Sequence, residues 1–130
     1  MLTENTRIYR DTYDLAELLL EYSNHVNKLV RYGIFADCIN KTCEAVDLIY
    51  RANILTEERA TALTEYLMLI GGVKTRIRLL SESGYLTTKQ HSRLMLIVGK
   101  LLKQASAWRG STHKPESESD SKQSERASLS

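Results

Sequence analysis

Apolar residues recur every three or four positions along most of this chain, which is the spacing that places side chains on one face of an α-helix. In the first such stretch the inward positions follow an unbroken 4-3 spacing, with one threonine among them: Ile8, Thr12, Leu15, Leu19, Tyr22, Val26 and Leu29. A seam of this kind is typical of a helix in a bundle or a coiled coil. We therefore predict a first helix from about Asn5 to Leu29.

A second helical pattern follows after a short connection at Arg31–Gly33. Gly33 suits the left-handed position that commonly ends a helix, because glycine adopts positive φ without steric cost. Beyond this connection the pattern predicts a helix from about Ile34 to Asn53. Its inward positions are Phe35, Ile39, Thr42, Val46 and Ile49.

The third helix is predicted from about Glu57 to Ser83, and it carries the glycine pair Gly71-Gly72 near its middle. Thr56 is the expected N-cap, with two acidic residues in the first turn, where the helix dipole favours them. Two interior glycines cost roughly 2 kcal/mol relative to alanines, so we expect them to permit a kink or the close approach of another helix. The inward positions are Leu63, Leu67, Ile70, Ile77 and Leu80.

Local signals mark the turn between the third and fourth helices. Gly84 is expected to end the third helix in a Schellman motif, followed by two apolar residues. Thr87 and Gln90 have the spacing of a capping box, which begins the fourth helix. We predict that this helix ends near Gly110. Its inward positions are Leu94, Val98, Leu101, Ala105 and Trp108.

Four helices of this length joined by short turns pack against one another in alternating directions. The sequence therefore predicts an all-α protein, an antiparallel up-down-up-down four-helix bundle over residues 1–110. Residues 111–130 are instead rich in serine and in charged and amide side chains. They contain too little apolar surface to offset the entropy lost on ordering, so we predict a disordered C-terminal tail.

The net charge of +2 conceals a segregation of sign along the chain. The first helix is rich in acidic residues, whereas residues 83–115 contain none and hold six lysines or arginines. Four of these form one stripe along the fourth helix on a helical wheel, and basic residues of the third helix lie beside it. A helix that is merely soluble usually mixes both signs, so we interpret this region as a binding surface. Its candidate residues are Lys74, Arg76, Arg78, Lys89, Arg93, Lys100, Lys103 and Arg109.

Positive charge gathered in this way favours nucleic acid as the partner, because such side chains neutralise phosphates without reading base sequence. The acidic residues Asp14, Glu17 and Glu21 of the first helix leave two alternatives open. In one they pair with the fourth helix of the same protomer. In the other they meet the basic face of another copy, in a heterologous contact that closes into a ring.

No part of the sequence has the spacing of a catalytic or metal-binding site. A di-metal centre in a bundle requires Glu-x-x-His pairs, and we interpret the nearest approximation, Glu21 and His25, as a surface pair. Cys38 and Cys43 fit neither a redox pair nor a zinc half-site, so we expect one or both to be buried thiols. We therefore expect a protein that is not an enzyme and that binds no cofactor or metal.

Membrane and export signals are not recognisable in the sequence. The longest apolar stretch, residues 66–73, has eight residues and is too short to cross a bilayer. The N-terminus lacks a basic segment followed by an apolar one, so we expect no signal peptide. We therefore expect a cytoplasmic location.

Five short segments carry a resemblance to a known family. They are Ile49-Tyr50-Arg51-Ala52-Asn53, Arg76-Ile77-Arg78-Leu79-Leu80, Gly84-Tyr85-Leu86, Val98-Gly99-Lys100-Leu101-Leu102 and Trp108-Arg109-Gly110-Ser111. Taken together they resemble the accessory variability determinant proteins of diversity-generating retroelements. Those proteins belong with the four-helix proteins encoded in ribosomal-RNA intervening sequences. The resemblance spans roughly Tyr9 to Ser111.

The resemblance implies a homopentamer with a positively charged surface and no catalytic activity. Members of that family bind the element's reverse transcriptase and nucleic acid, either template RNA or cDNA. They support mutagenic retrohoming, in which error-prone cDNA replaces a variable region. The residues that match the family's basic pattern are Lys74, Arg78, Arg93 and Lys100, and Trp108 matches its C-terminal aromatic. The intervening-sequence branch implies the alternative, a structural or protein-binding oligomer.

Overall fold

The computed structural model describes the backbone of residues 3–127 and the side chains of residues 7–112. Within that part of the chain all regular secondary structure is helical, and four long helices dominate. They are α1 (Thr3–Ser23), α2 (Ala36–Ile54), α3 (Arg59–Glu82) and α4 (Thr88–Ala127). A short α-helical turn (Lys28–Val30) and a π-helical turn (Arg31–Phe35) lead into α2, and a 3-10 turn (Thr56–Glu58) leads into α3. The all-helical prediction is confirmed.

The predicted inward positions form the core almost without exception. Fully buried side chains from all four helices include Leu15, Ile49, Ile70 and Leu101. The exceptions are Val46, which is half-buried and not part of the core, and Leu29, which is 84% exposed. The 4-3 spacing continues beyond the point at which α1 ends, so Leu29 was predicted wrongly.

The connection between α1 and α2 lies elsewhere than the sequence predicted. α1 ends at Ser23, and the chain becomes helical again after Asn27, whose side-chain oxygen accepts a hydrogen bond from the amide of Val30 at 3.0 Å. Gly33 lies inside the π-helical turn instead of ending a helix, and it does not have positive φ. The guanidinium of Arg31 donates to the carbonyl oxygens of Ser23 at 3.0 Å and Val26 at 3.1 Å, which satisfies free carbonyls after α1.

The turn between α3 and α4 has the predicted geometry. Gly84 has a φ of 85°, the amide of Tyr85 donates to the carbonyl of Leu80 at 2.9 Å, and this is the Schellman pattern. The amide of Gln90 donates to the hydroxyl of Thr87 at 3.0 Å, and the amide of Thr87 donates to the side chain of Gln90 at 2.9 Å. The capping box is therefore complete on both sides.

The start of α3 and its glycine pair differ from the predictions. Thr56 belongs to the 3-10 turn, and neither that turn nor α3 has a side-chain N-cap hydrogen bond. The helix continues through Gly71 and Gly72. At Gly72 the missing side chain leaves room for the guanidinium of Arg76, which lies 3.3 Å from the position that a Cβ would take and donates to the Gly72 carbonyl at 2.9 Å.

Long-range contacts show how neighbouring helices run. Asp37, near the start of α2, contacts Arg76, near the end of α3. Thr64, near the start of α3, accepts a hydrogen bond at 3.2 Å from Arg109 in the later part of α4. α2 and α3 therefore run in opposite directions, and so do α3 and α4. α1 packs against both α2 and α4, so the four helices surround one core.

One polar contact crosses that core. The hydroxyl groups of Thr12 in α1 and Tyr66 in α3 are 2.7 Å apart, and both side chains are fully buried. Thr12 also donates to the carbonyl of Ile8 at 2.6 Å, so Tyr66 is the donor in the bond between the two hydroxyls. Burial raises the pKa of the Tyr66 phenol well above its usual range. The pair fixes the position of α1 relative to α3.

The backbone from Ser111 to Ala127 continues α4, so the helix does not end near Gly110 as predicted. Side chains beyond Thr112 lie outside the described residues, as do the structures of residues 1–2 and 128–130. The division into a bundle over residues 1–110 and a disordered tail over residues 111–130 stays a prediction.

Candidate nucleic-acid interface

The eight basic residues predicted to form one surface do not share one environment. Six of them are exposed, whereas Arg76 and Arg109 are half-buried. Some of these side chains form ion pairs or hydrogen bonds within the chain, and the charges of the others are available to a ligand. Counting basic residues that are close in sequence therefore does not show how many of them are available to a ligand.

Arg76 lies at the boundary where α2 packs against α3, and we call this boundary the seam. Its Nε donates to the Asp37 carboxylate at 2.5 Å, and Lys41 lies 3.7 Å from the same carboxylate. The hydrogen bond from Arg76 and the nearby positive charges hold the pKa of Asp37 below its usual value, although desolvation opposes them. We refer to Asp37, Lys41 and Arg76 as the seam cluster. By helical phase Arg76 lies on the opposite flank of α3 from Lys74 and Arg78.

Arg78 and Arg109 have weaker engagements. Arg78 pairs with Glu82 at 3.1 Å one turn later, and both side chains are largely exposed. An exposed pair of this kind contributes little stability, so Arg78 can exchange its partner. Arg109 donates to the Thr64 hydroxyl, as described above, and lies at the end of the bundle where Arg59 stacks over Trp108, 5.5 Å from the ring centre.

Arg93 lies among carboxylates. It lines a groove of about 590 Å³ between α1 and α4 together with Asp14, Glu17 and Glu21. No ion pair within 4.0 Å joins them in the described part of the chain, but three negative charges around one positive charge give this groove a negative potential. The structure therefore brings the acidic residues of α1 and the basic Arg93 of the same protomer together.

Lys89, Lys100 and Lys103 form the most accessible positive surface, which we call the lysine row. All three are exposed on the outer side of α4, and none takes part in an ion pair among the described residues. At ~1.5 Å per residue, the row is about 21 Å long from Lys89 to Lys103. Arg93 lies on the same side of α4 between Lys89 and Lys100, where the row borders the groove that contains the α1 carboxylates. Lys74 of α3 is also exposed and unpaired in the described region, and by helical phase it lies on the flank of α3 that faces α4.

The exposed aromatic side chains lie outside α4, and Tyr85, four residues before Lys89, is the nearest of them in sequence to the lysine row. The exposed tyrosines are Tyr13 in α1, Tyr32 in the π-helical turn, Tyr50 in α2 and Tyr85 after α3. Trp108 is half-buried against Arg59. Sites for single-stranded nucleic acid usually stack bases on aromatic rings. The described part of α4 therefore offers charge for phosphates without a stacking platform for bases.

Other kinds of site have no counterpart among residues 7–112. No group of three or more His, Cys, Asp or Glu side chains there is placed to hold a metal ion. Of the two cysteines, Cys38 is buried and Cys43 is exposed, and burial raises the pKa of the Cys38 thiol to about 12. No helix in the described part of the chain is long and apolar enough to cross a membrane.

One feature of the surface was missed from the sequence. The pairing of Arg76 with Asp37 joins residues 39 positions apart, and no local pattern predicts it. The groove that Asp14, Glu17 and Glu21 share with Arg93 agrees with the alternative in which the acidic residues of α1 face the fourth helix of the same protomer. Comparison with protein families, curated proteins and solved structures finds no match to this chain.

Proposed function

We propose that this protein is a non-catalytic accessory subunit of a diversity-generating retroelement, which binds nucleic acid through the lysine row and also binds the element's reverse transcriptase. The observation that carries the nucleic-acid role is the row of Lys89, Lys100 and Lys103, exposed on one helix with no carboxylate partner among the described residues. The resemblance in sequence supports the retroelement context, the reverse transcriptase as partner and an assembly of five copies.

The chemistry of lysine determines what kind of binding we expect. An ammonium group is a point charge that attracts phosphate but does not fix a planar, bidentate geometry as arginine does. Contacts of this type place the protein on the backbone of the nucleic acid and carry little sequence information. Because no aromatic platform lies beside the row in the described region, we expect duplexes to bind at least as well as single strands.

The test is charge reversal in the lysine row. We expect Lys100→Glu combined with Lys103→Glu to weaken duplex binding roughly tenfold or more at low salt, because two phosphate contacts become repulsive. Fluorescence anisotropy with labelled DNA and RNA duplexes measures this at about 50 mM and about 200 mM salt, with a shallower salt dependence expected for the variant.

The matched control applies the same change of charge elsewhere. Lys28→Glu combined with Arg51→Glu alters exposed residues outside α3 and α4. We expect this control to retain most of the wild-type affinity. Equal weakening by the two pairs would contradict a defined surface, and no binding by the wild-type protein at low salt would exclude the nucleic-acid role.

The second candidate function is a structural or protein-binding oligomer of the intervening-sequence type. The groove in which Asp14, Glu17 and Glu21 surround Arg93 favours it, because the groove suits a basic protein surface and repels phosphate. Under this alternative, raising the salt concentration dissociates the oligomer, and nucleic acid does not change the mobility of the protein in a gel.

A further inference from the structure

The outer side of α3 is uncharged along its middle, although the exposed carboxylates of Glu65 and Glu82 lie at its edge and near its C-terminal end. Seven residues there recur at helical spacing, each exposed or half-buried, and none carries a charge. They are Thr61, Thr64, Met68, Gly71, Gly72, Thr75 and Leu79. Met68 is 73% exposed and Leu79 is 48% exposed. A solvent-facing helix normally presents charged and polar residues on this side. This α3 outer face therefore resembles a packing surface that is open within the chain, apart from the hydrogen bond that Thr64 accepts from Arg109 of α4.

Packing within the chain does not require the glycines of this face. A Cβ at Gly71 would meet nothing within 4 Å, and a Cβ at Gly72 would meet only the flexible end of Arg76. Alanine at either position favours a helix by roughly 1 kcal/mol. Small residues on an exposed helix face also allow another helix to approach closely. The glycine pair therefore suits a contact with a helix of a second molecule.

The α3 outer face continues into an apolar groove at the end of the helix. Leu79 lines both the face and this groove of about 320 Å³, and Ile34 and Tyr85 form part of its wall. Leu29, the most exposed large apolar residue described, lies at the rim. The uncharged surface therefore extends from the middle of α3 to the turn that precedes α2.

The chain itself contains a matching surface on α1. Tyr13 is 52% exposed and Leu20 is 54% exposed, and these two residues lie two turns apart on the side of α1 that faces away from the core. Glu17 lies between them, and Glu21 follows on the flank nearer to α4. This α1 outer face therefore combines two apolar anchors with the negative charges of Glu17 and Glu21, and the exposed Arg10 lies on the same side. One flank of the α3 outer face carries the positive charges of Lys74 and of Arg78, which pairs with Glu82 through an exposed contact.

We propose that the α1 outer face of one copy packs on the α3 outer face of a second copy, with the two helices parallel. Glu17 and Glu21 are four residues apart, as are Lys74 and Arg78. In a parallel arrangement, helical phase places both pairs on the same flank, so Glu17 meets Lys74 and Glu21 meets Arg78. An antiparallel arrangement places the two pairs on opposite flanks.

Different patches meet in this contact, so it is heterologous and repeats from copy to copy, with the rotation between successive copies determining whether a ring closes. The inference adds contact surfaces to the self-association that forms part of the proposed function. It also assigns different roles to the basic residues: Lys74 and Arg78 contact a second copy, and the lysine row on α4 stays available to phosphate. The two roles can therefore fail independently.

Charge exchange across the contact tests the inference. The molar mass of the full-length protein is measured by light scattering after size-exclusion chromatography at low salt. We expect a mass several times the 14.8 kDa of one chain for the wild type. Glu17→Lys with Glu21→Lys should reduce it to the mass of one chain, and so should Lys74→Glu with Arg78→Glu. Combining all four substitutions should restore the assembly, because each pair again meets the opposite charge.

A second variant does not depend on charge. Gly71→Gln has space in the isolated chain and should favour the helix, yet its side chain should block the approach of α1 and give the mass of one chain. Circular dichroism verifies that each variant is folded. A wild-type mass of one chain, an assembly that survives both exchanges, or a combined variant that does not reassemble would each overturn the proposal.

The lysine-row variant separates this inference from the proposed function. Lys100→Glu with Lys103→Glu should keep the mass of the assembly while losing affinity for the duplex. If instead the variant dissociates, the lysine row is part of the contact between copies, and the division of roles is wrong.

Discussion

The seam cluster and the lysine row both contain basic side chains, but only the row leaves them available to a ligand. In the seam, the side chains of Arg76 and Lys41 are 32% and 28% exposed, and both face the carboxylate of Asp37. In the row, Lys89, Lys100 and Lys103 are exposed without an ion-pair partner among the described residues. The difference lies in the neighbouring helix: α2 presents a carboxylate to the seam, whereas the row faces away from the other helices.

Thiol reactivity gives the largest expected difference between the seam and the exposed surface. Cys38, next to the seam cluster, is buried with its pKa raised to about 12, whereas Cys43 is exposed. Since only the thiolate reacts, we expect Cys38 to react at least about 1,000-fold more slowly than Cys43 near pH 8. A thiol reagent and the single variants Cys38→Ala and Cys43→Ser measure each rate separately. Similar rates in the folded protein would mean that the seam opens readily.

Charge reversal should have unequal effects on folding in the two regions. Arg76→Glu removes the partner of Asp37, adds a like charge beside it and leaves the Gly72 carbonyl without its donor. We expect this to lower the free energy of unfolding by roughly 2 kcal/mol. Lys100→Glu, the control in the lysine row, should change it by less than about 0.5 kcal/mol. Denaturant unfolding at neutral pH compares them, and equal losses would refute the distinction between engaged and free charges.

The glycine pair allows a finer comparison across α3. Gly71→Ala should stabilise the isolated chain by roughly 0.5–1 kcal/mol, because alanine favours the helix and meets no neighbour. Gly72→Ala should gain less, because its methyl group lies 3.3 Å from the Arg76 guanidinium and displaces it from the seam. The difference is measured by denaturant unfolding under dissociating conditions. A larger gain at Gly72 would show that the position of Arg76 contributes little.

The pH dependence of the seam gives the smallest effect. The pKa of Asp37 is lowered in the folded protein, so the pair stabilises the fold above the carboxyl group's ordinary pKa of 3.8 and loses that contribution as pH falls through the folded value. Asp37 is 43% exposed, so we expect Asp37→Asn to cost only about 0.5 kcal/mol at pH 7. The cost should shrink as the pH is lowered below the ordinary carboxyl pKa and through the folded value, and a cost that stays constant on acidification would exclude the ion pair as its cause.

The two turns at the same end of the bundle show which parts of the fold are locally encoded. Gly84, Thr87 and Gln90 form every predicted hydrogen bond of the α3–α4 turn, because the donors and acceptors lie within six residues of one another. The α1–α2 turn was placed several residues too late, because the 4-3 spacing continues through it. Asn27, an N-cap residue in the middle of that spacing, was the local signal that could have located it.

The candidate surface was predicted as a set of residues, but its internal division was not. Helical phase sufficed to gather Lys89, Lys100 and Lys103 on one side of α4. It left open whether the acidic residues of α1 face α4 of the same protomer or another copy, because that depends on the rotation of α4 about its own axis in the bundle. The uncharged α3 outer face could have been recognised from the sequence, since its spacing is regular from Thr61 to Leu79.

The sequence by itself determined the all-helical class, the inward faces of the four helices and the turn between α3 and α4. Each of these depends on side-chain spacing or on hydrogen bonds between residues close along the chain. Only the tertiary structure decided that Arg76 serves the fold, that Arg93 lies among acids and that the lysine row is open. The availability of a charge depends on the groups within a few ångströms in space, and packing brings those groups from distant parts of the chain.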